Sequence, residues 1–199
     1  MNLKLLSTLA LTVMMMGCSS MKVTRVPVSQ PIDLSGEWND FDAQLVSREM
    51  IQDCLEKPWL TNFMKAQQKN PVVIVGSIKN NSDEHINSQV FTKELEKELL
   101  NSGKVTFVAS PVERQQIREE RDDQHGGNTS EETMKAIGKE VGADYMLIGS
   151  VNSVKDEIRG KMAAFYQVNL ELVDLENNLK VWIGQKEIKK KIEQRKFSL

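Results

Sequence analysis

Residues 71–82, PVVIVGSIKNNS, decide the fold of this chain. Val72 to Ile78 form a β-branched apolar run that ends in turn residues, which is typical of a buried strand. A longer pattern with helical period follows from about Ile86 to Asn101. A short apolar strand followed by a longer helix is the pattern of a βα unit, so this stretch predicts an α/β domain.

The predicted helix ends at Gly103, and KVTFVAS, residues 104–110, predicts a second strand. The apolar side of the helix is expected to hold five residues, which are Val90, Phe91, Leu95, Leu99 and Leu100.

Two further helices are predicted between the second and third strands. After Pro111, residues 112–124 predict a charged helix with a thin apolar edge of Val112 and Ile117, followed by a loop over residues 125–130. Thr129 and Glu132 then form a capping-box pattern. It predicts a helix whose apolar residues are Met134, Ile137 and Val141.

The C-terminal third predicts three strands, over residues 143–154, 162–176 and 180–190, joined by short polar turns. Neighbouring strands with short turns pair antiparallel. In the last strand Val181 and Ile183 are expected to point inward, and Lys180 and Gln185 outward. The fold class that follows is a single α/β domain with a mixed sheet, an antiparallel C-terminal meander, and helices covering one face.

An extra helical region, residues 38–68, precedes the first strand. Asn39 or Asp40 can cap a helix in which Val46, Met50 and Cys54 recur at every fourth position, and Pro58 ends it. WLTNFMKAQQ, residues 59–68, predicts a further turn or short helix. Trp38 and Trp59 flank the first helix and are expected to pack against the core.

The N-terminus carries a targeting pattern. Lys4 is followed by an apolar run too short to span a bilayer, and the run ends in LTVMMMGCSS, residues 11–20. This resembles a bacterial lipoprotein signal, which implies removal of residues 1–17 and lipidation of Cys18. An ordinary cleaved signal and a soft-metal site of Met and Cys are the alternatives. Ser19 after the cysteine favours, by resemblance to enterobacterial sorting rules, the outer membrane of a Gram-negative bacterium.

Residues 18–36 contain Pro, Ser and Gln without periodicity and predict a flexible tether, which leaves residues 37–199 as the domain. Fully extended, this tether spans about 60 Å, and as a coil about 25 Å. Loss of Lys4 with the signal takes the formal net charge from −2 to −3. Such a charge disfavours nucleic-acid binding.

No catalytic or cofactor motif stands out. VGSIKNNS lacks the Gly-Lys-Ser/Thr ending of a phosphate loop. Ser82, Asp83 and His85 are adjacent in sequence, whereas triads are assembled in space, so a loop or helix-cap role is favoured. His125 has no partner at metal-ligand spacing. We therefore expect no metal, no cofactor, no small-molecule substrate and no enzymatic activity.

The two remaining features have ordinary structural explanations. Cys54 lies in an apolar helical pattern and is expected to be a small buried residue without a disulfide partner once Cys18 is lipidated. KEIKKKIEQRK, residues 186–196, could contact an anionic partner, although lysines that protect an edge strand from aggregation explain it equally well.

Three segments, in order over residues 71–186, resemble one known family. Residues 72–110 resemble the strand, Asn-rich turn, helix, glycine and strand that open the LpoB domain. AIGKEVGADYMLIGSV, residues 136–151, is similar to its second helix–strand step, and YQVNLELVDLENNLKVWIGQ, residues 166–185, to its closing hairpin. The resemblance implies a fold like the N-terminal domain of TolB and part of the curli-secretion lipoprotein.

The LpoB resemblance also implies a function: an outer-membrane lipoprotein that activates a class A penicillin-binding protein and regulates cell-wall synthesis. The alternative is an accessory of an envelope assembly or secretion complex, like the curli-secretion lipoprotein. As the partner-binding surface we predict the polar turn Asn80, Asn81, Ser82 and His85, because binding residues favour loops on a rigid scaffold. The competing interpretation is a turn that only caps the following helix.

Overall fold

The computed structural model describes residues 23–27, 30–158 and 161–193. The predicted signal, the predicted lipidation site Cys18 and the last six residues lie outside these ranges. The described residues from Ile32 onward form one compact unit. Before that unit, Val23 to Pro27 are exposed and have no helix or strand.

A five-stranded mixed sheet forms the centre of the domain. Its strands are β1 Val72–Asn80, β2 Thr106–Phe107, β3 Tyr145–Ile158, β4 Lys161–Asp174 and β5 Lys180–Glu193. Their spatial order is β2-β1-β3-β4-β5. β1 is parallel to β2 and β3, whereas β3–β4 and β4–β5 are antiparallel. The predicted mixed sheet with an antiparallel meander is therefore confirmed, with β2 shorter than expected.

Four α-helices accompany the sheet: α1 Asp40–Leu55, α2 Pro58–Gln67, α3 Ser88–Asn101 and α4 Pro111–Asp123. Asn39 caps α1 in a capping box with Asp42, and Asn87 caps α3. α1 and α3 pack on each other, and α1 contacts β5 while α3 contacts β1. These two helices cover one face of the sheet, as the sequence predicts.

The core lies between this helix pair and the sheet. α3 contributes Phe91, Leu95 and Leu99, which are buried at every fourth position. β4 contributes alternate residues, and Tyr166, Val168 and Leu170 are fully buried. Burial of such apolar side chains is the main stabilising contribution in a domain of this size.

The tryptophans join the flanking segments to this core. The ring of Trp38 lies edge-on to Phe91 and Tyr166, at centroid distances of 5.8 and 5.7 Å. Trp59 packs edge-on against Tyr145 at 5.1 Å, and its indole nitrogen donates to the Cys54 carbonyl at 2.7 Å. Both tryptophans therefore pack as expected. Edge-on aromatic pairs stabilise a protein beyond the contribution of the apolar area that they bury.

Of the two residues expected to point inward from the last strand, Val181 packs against the core, whereas the prediction for Ile183 is wrong. A register irregularity in the β4–β5 pairing falls between Leu172 and Val173, opposite Val181. Because one extra residue reverses the facing of a strand, Trp182 points into the core and Ile183 is 62% exposed.

The apolar sides expected for the charged helix and for α3 need correction too. α4 has no buried residue, and Val112 and Ile117 are exposed. In α3, Val90 and Leu100 lie on the flanks of the buried stripe and are about half exposed. An apolar residue of an amphipathic helix is buried only where a neighbouring element covers it.

The helix predicted after Thr129 is absent. A single π-helical turn, Gln124–Asn128, follows α4, and the residues from Thr129 to Asp144 contain turns but no helix. Ile137 and Val141 are about 60% exposed. The predicted stripe therefore lacks the packing that supplies most of a helix's stability in a protein.

Within the described ranges, every helix is too short or too polar to traverse a lipid bilayer.

Candidate functional site: the β1–α3 loop and the adjoining groove

Residues 81–87, the β1–α3 loop, leave the sheet where β1 ends beside β3. The backbone N–H of Asn81 donates to the carbonyl of Val151 at 2.8 Å. The side-chain amide of Asn81 donates to Oδ1 of Asn152 at 3.1 Å. These two contacts fix the start of the loop on β3.

Asn80 and Ser82 close a tight polar turn. Oδ1 of Asn80 accepts from the backbone N–H of Ser82 at 3.0 Å and from its hydroxyl at 2.6 Å. The side-chain amide of Asn80 donates to the carbonyl of Glu84 at 2.8 Å. Because these polar groups are engaged within the turn, Asn80 and Ser82 shape the loop. The capping role belongs to Asn87, which accepts from Gln89 at 3.0 Å.

Glu84 turns inward and anchors the loop, with its side chain 5% exposed. Its carboxylate accepts the backbone N–H of Trp38 at 3.0 Å, lies 3.0 Å from the ammonium of Lys155, and accepts the hydroxyl of Tyr166. Burial and the nearby Glu84 carboxylate raise the pKa of Tyr166. The hydrogen bond to Glu84 also raises the pKa of Lys155.

Lys190 holds the N-terminal segment, residues 32–38, against the end of β5. Its side chain is 10% exposed and lies 2.6 Å from Asp42 and 3.0 Å from Asp33. It also donates to the carbonyl of Glu37 at 2.8 Å. A buried charge is tolerated only when it is paired, and here two carboxylates and a carbonyl surround it.

His85 is exposed, and no described residue forms a hydrogen bond with it. Of the four predicted site residues, His85 and Asn81 present their side chains at the surface, while Asn80 and Ser82 support the turn. His85 is followed by the exposed first turn of α3, with Gln89 and Val90. The outward part of the predicted site therefore continues onto α3.

A groove of about 580 Å³ lies between the end of β1 and the first turns of α3 and α4, and we call it the helical groove. Its wall includes Gln89 and Thr92 from α3 and Val112 from α4. Val112 is 73% exposed. An open groove with an apolar wall and a polar rim suits a protein segment better than a small polar ligand.

Ion pairs brace this groove. The ammonium of Lys93 lies 2.6 Å from both Glu96 and Glu113, so α3 is linked to α4. The bond to Lys93, followed by the bonds from Ser110, lowers the pKa of Glu113 to about 2. Farther along α4, Arg118 and Arg121 both form ion pairs with Glu140. The pKa of Glu140 is lowered to about 2, and the hydrogen bond to Arg118 is the largest cause.

The geometry brings together no catalytic constellation. The carboxylate of Asp83 accepts from the hydroxyl of Ser153 at 2.8 Å and lies 3.6 Å from Lys155, so it does not orient His85. His125 lies 3.0 Å from the carbonyl of Lys135. Within the described ranges no group of three or more His, Cys, Asp or Glu residues is placed to hold a metal ion.

Cys54 is buried, with 1% of its surface exposed, and burial raises its pKa to about 12. A thiol with so little thiolate is a poor nucleophile.

Glu84, Lys155 and Lys190 were missed by the sequence reasoning. Strand alternation could have revealed Lys155, because it places Lys155 on the same face of β3 as the buried Leu147 and Val151. A charged residue on the core-facing side of a strand indicates a buried partner of opposite charge.

Fold and site together define a small α/β domain with an open groove beside a hydrogen-bonded polar loop. The model of the family described as peptidoglycan-synthase activator LpoB matches residues 42–188. The chain belongs to the LpoB family. This family consists of regulatory activators.

Solved structures give matches at low identity. The LpoB C-terminal domain from Escherichia coli is 19% identical, with 66% of this chain and 93% of that chain covered and a TM-score of 0.38. Lipoprotein GNA1162 from Neisseria meningitidis is 16% identical, with 62% and 84% covered and a TM-score of 0.38. The PelC dodecamer from Paraburkholderia phytofirmans is 18% identical, with 61% and 73% covered and a TM-score of 0.34. No curated protein matches the chain.

Proposed function

We propose that this protein is a non-enzymatic lipoprotein that binds and activates a peptidoglycan synthase and so regulates cell-wall synthesis. The observation that carries the proposal is the LpoB family match over residues 42–188, which includes α2 to α4 and most of the sheet. The partner is a class A penicillin-binding protein. The protein is held by lipid at Cys18 in the outer membrane, with its domain in the periplasm.

The partner docks on the outward residues of the β1–α3 loop and on the helical groove. Support comes from the way this surface is built. Asn80, Ser82 and Glu84 hold the loop in place. Asn81 is exposed although its side-chain amide is bound to Asn152, and the exposed His85 has no hydrogen-bond partner among the described residues. A rigid loop loses little conformational entropy on binding, and the exposed Val112 beside it offers apolar area.

In this proposal the tether is shorter than the residues 18–36 expected from the sequence. Asp33 and Glu37 are held by Lys190, so only Cys18 to Pro31 remain between the lipid and the domain. Fully extended, this stretch spans at most about 50 Å. The partner therefore has to extend towards the outer membrane, rather than the activator reaching to the inner one.

The proposal is tested with purified protein that begins at Ser19 and with the class A penicillin-binding proteins of the same bacterium. Saturable binding to one of them, with faster transglycosylase or transpeptidase turnover, is expected. If no such synthase is bound or stimulated, the proposal is wrong. A ring-sized species in light scattering would instead favour an assembly or secretion accessory.

A further inference from the structure

The face of the sheet opposite α1 and α3 carries two cross-strand rows of uncharged amide and hydroxyl groups. In one row Ser150, Asn169 and Gln185 are direct cross-strand neighbours. In the other, Asn152 pairs with Gln167, and Asn81 joins it through a 3.1 Å hydrogen bond. We call this surface the amide face.

The amide face is unusual for this chain because 27% of all residues are charged. Within the two rows, charged side chains occur only at the ends, where Lys79 pairs with Ser150 and Glu187 pairs with Gln167. An exposed sheet surface is normally kept soluble by charged residues. A neutral hydrogen-bonding surface that spans β3, β4 and β5 and includes Asn81 of the β1–α3 loop is instead suited to a neutral hydrogen-bonding ligand.

Several polar groups of the amide face have no partner among the described residues. Asn169 donates to Oε1 of Gln167 at 3.2 Å, which leaves the amide N–H groups of Gln167 and Oδ1 of Asn169 unused. Among the described residues, the hydroxyl of Ser150 accepts one long hydrogen bond, from the side-chain amide of Asn152 at 3.4 Å. Amides and hydroxyls both donate and accept, as sugar hydroxyls and acetamido groups do.

The shape of the surface suits an extended chain. A shallow depression of about 340 Å³ lies between β1 and β3. Its lining includes the uncharged Ser77, Ser150 and Asn169, with the charged Lys79 and Glu171 at its edges. It lies at the register irregularity of β1.

On one side the rows are flanked by Ile148, Glu171 and the 62% exposed Ile183. On the other side they are flanked by Val154, Phe165 and Lys189. Along β3, the distance between the two flanks, from Ile148 to Val154, is about 20 Å.

We propose that the amide face binds a neutral glycan chain bearing acetamido groups, namely the glycan strand of peptidoglycan. The choice of this polysaccharide rests on the proposed function, which places the domain beside a peptidoglycan synthase. A protein partner is disfavoured because protein interfaces centre on Tyr, Trp, Arg and Met, none of which lies in the two rows. Nucleic acid is disfavoured because Lys79, at the end of one row, is the one basic residue in the two rows.

The test uses the mature chain from Ser19 and two probes. One is a set of neutral glycan strands of β-1,4-linked N-acetylglucosamine (chito-oligosaccharides), and the other is polyglutamate as a charged polymer. Side-chain amide resonances of Asn and Gln are followed by NMR during titration. The expected result is saturable shifts of Gln167 and Asn169 with glycan strands and none with polyglutamate. Gln167→Ala/Asn169→Ala is expected to weaken binding by about tenfold or more, as two lost hydrogen bonds predict.

The control variant is Asn62→Ala/Gln67→Ala, which removes two exposed amides from α2 and is expected to bind glycan like the wild type. Thermal melting confirms that both variants fold. Glycan binding is disproved by the absence of shifts at millimolar strands, by equal shifts with polyglutamate, or by equal loss in both variants. Synthase stimulation is measured in parallel. The Gln167/Asn169 variant should retain it, and its loss would identify this face as the protein interface and overturn the glycan proposal.

Discussion

The ammonium group of Lys155 on β3 lies 3.0 Å from the carboxylate of Glu84 in the β1–α3 loop. The same carboxylate accepts the backbone N–H of Trp38. One buried acidic residue therefore joins three parts of the chain that are distant in sequence: the N-terminal segment, the loop and the central hairpin. The docking surface we propose is rigid because of this contact.

Glu84→Ala is expected to destabilise the domain by about 2–3 kcal/mol, because it leaves Lys155 and Tyr166 without their partner in a largely buried position. Asp83→Ala is the matched control. The Asp83 carboxylate is 64% exposed, so solvent screens its interaction with Lys155 and its removal should change the free energy of unfolding little. Urea unfolding of both variants measures the difference. Equal stability of the two variants would contradict the anchoring role of Glu84.

Gly149→Ala tests the packing between β3 and β4. A methyl group there would lie 2.3 Å from the carbonyl oxygen of Asn169 and 2.6 Å from Leu170 Cδ2, so the strands would have to separate. We expect a loss of about 3 kcal/mol and a fall in melting temperature of about 5–10 °C. Gly142→Ala, at a position with open space, should melt close to the wild type.

Acid should loosen α4 before it unfolds the domain. The pKa of Glu113 is lowered to about 2 first of all by Lys93, and that of Glu140 to about 2 first of all by Arg118. Since a depressed pKa favours the folded state only while the group is ionised, these contacts act fully above pH 4.5 and are lost as the pH falls towards 2.

NMR titration of the side-chain carboxyl carbons measures these two pKa values directly. Midpoints near 2 are expected for Glu113 and Glu140, and Lys93→Gln should move the Glu113 midpoint up towards 4.5. A wild-type Glu113 midpoint above 4 would show that the α3–α4 bridge does not form in solution.

Cys54 should be unreactive in the native protein, because it is buried and its pKa is raised to about 12. In protein that begins at Ser19 it is the only cysteine. Ellman's reagent at pH 8 should therefore titrate no thiol before denaturation and one thiol in urea. Rapid native labelling would contradict the packing of α1 against the sheet.

Much of the fold could be predicted because its elements carry strong periodic patterns. α1, α3 and β4 bury the faces that periodicity indicates, and proline, glycine and asparagine mark the ends of the helices and strands. The errors occur where tertiary structure decides. Thr129 to Val141 has a helical stripe without a surface to bury it, and the irregularity at Val181 reverses the facing of β5.

The site was predictable only in part. A polar turn between a strand and a helix indicated the β1–α3 loop, but not that Glu84 would point inward and His85 outward. Two of the partners of Glu84, Lys155 and Tyr166, come from the C-terminal half of the chain. Contacts at such separations in sequence follow from strand register, which the pattern of a single strand does not determine.

The most direct test of synthase activation through the proposed surface is the transglycosylase rate of the bacterium's class A penicillin-binding protein in the presence of this protein. Wild-type protein and Leu179→Glu, which alters an exposed residue in the β4–β5 turn, should both accelerate the reaction. His85→Ala/Val112→Glu, which changes the loop and the helical groove without touching a buried residue, should lose the acceleration and weaken binding at least tenfold. Full stimulation by the His85/Val112 variant would contradict this docking surface, and no stimulation by the wild type would contradict the proposed function itself.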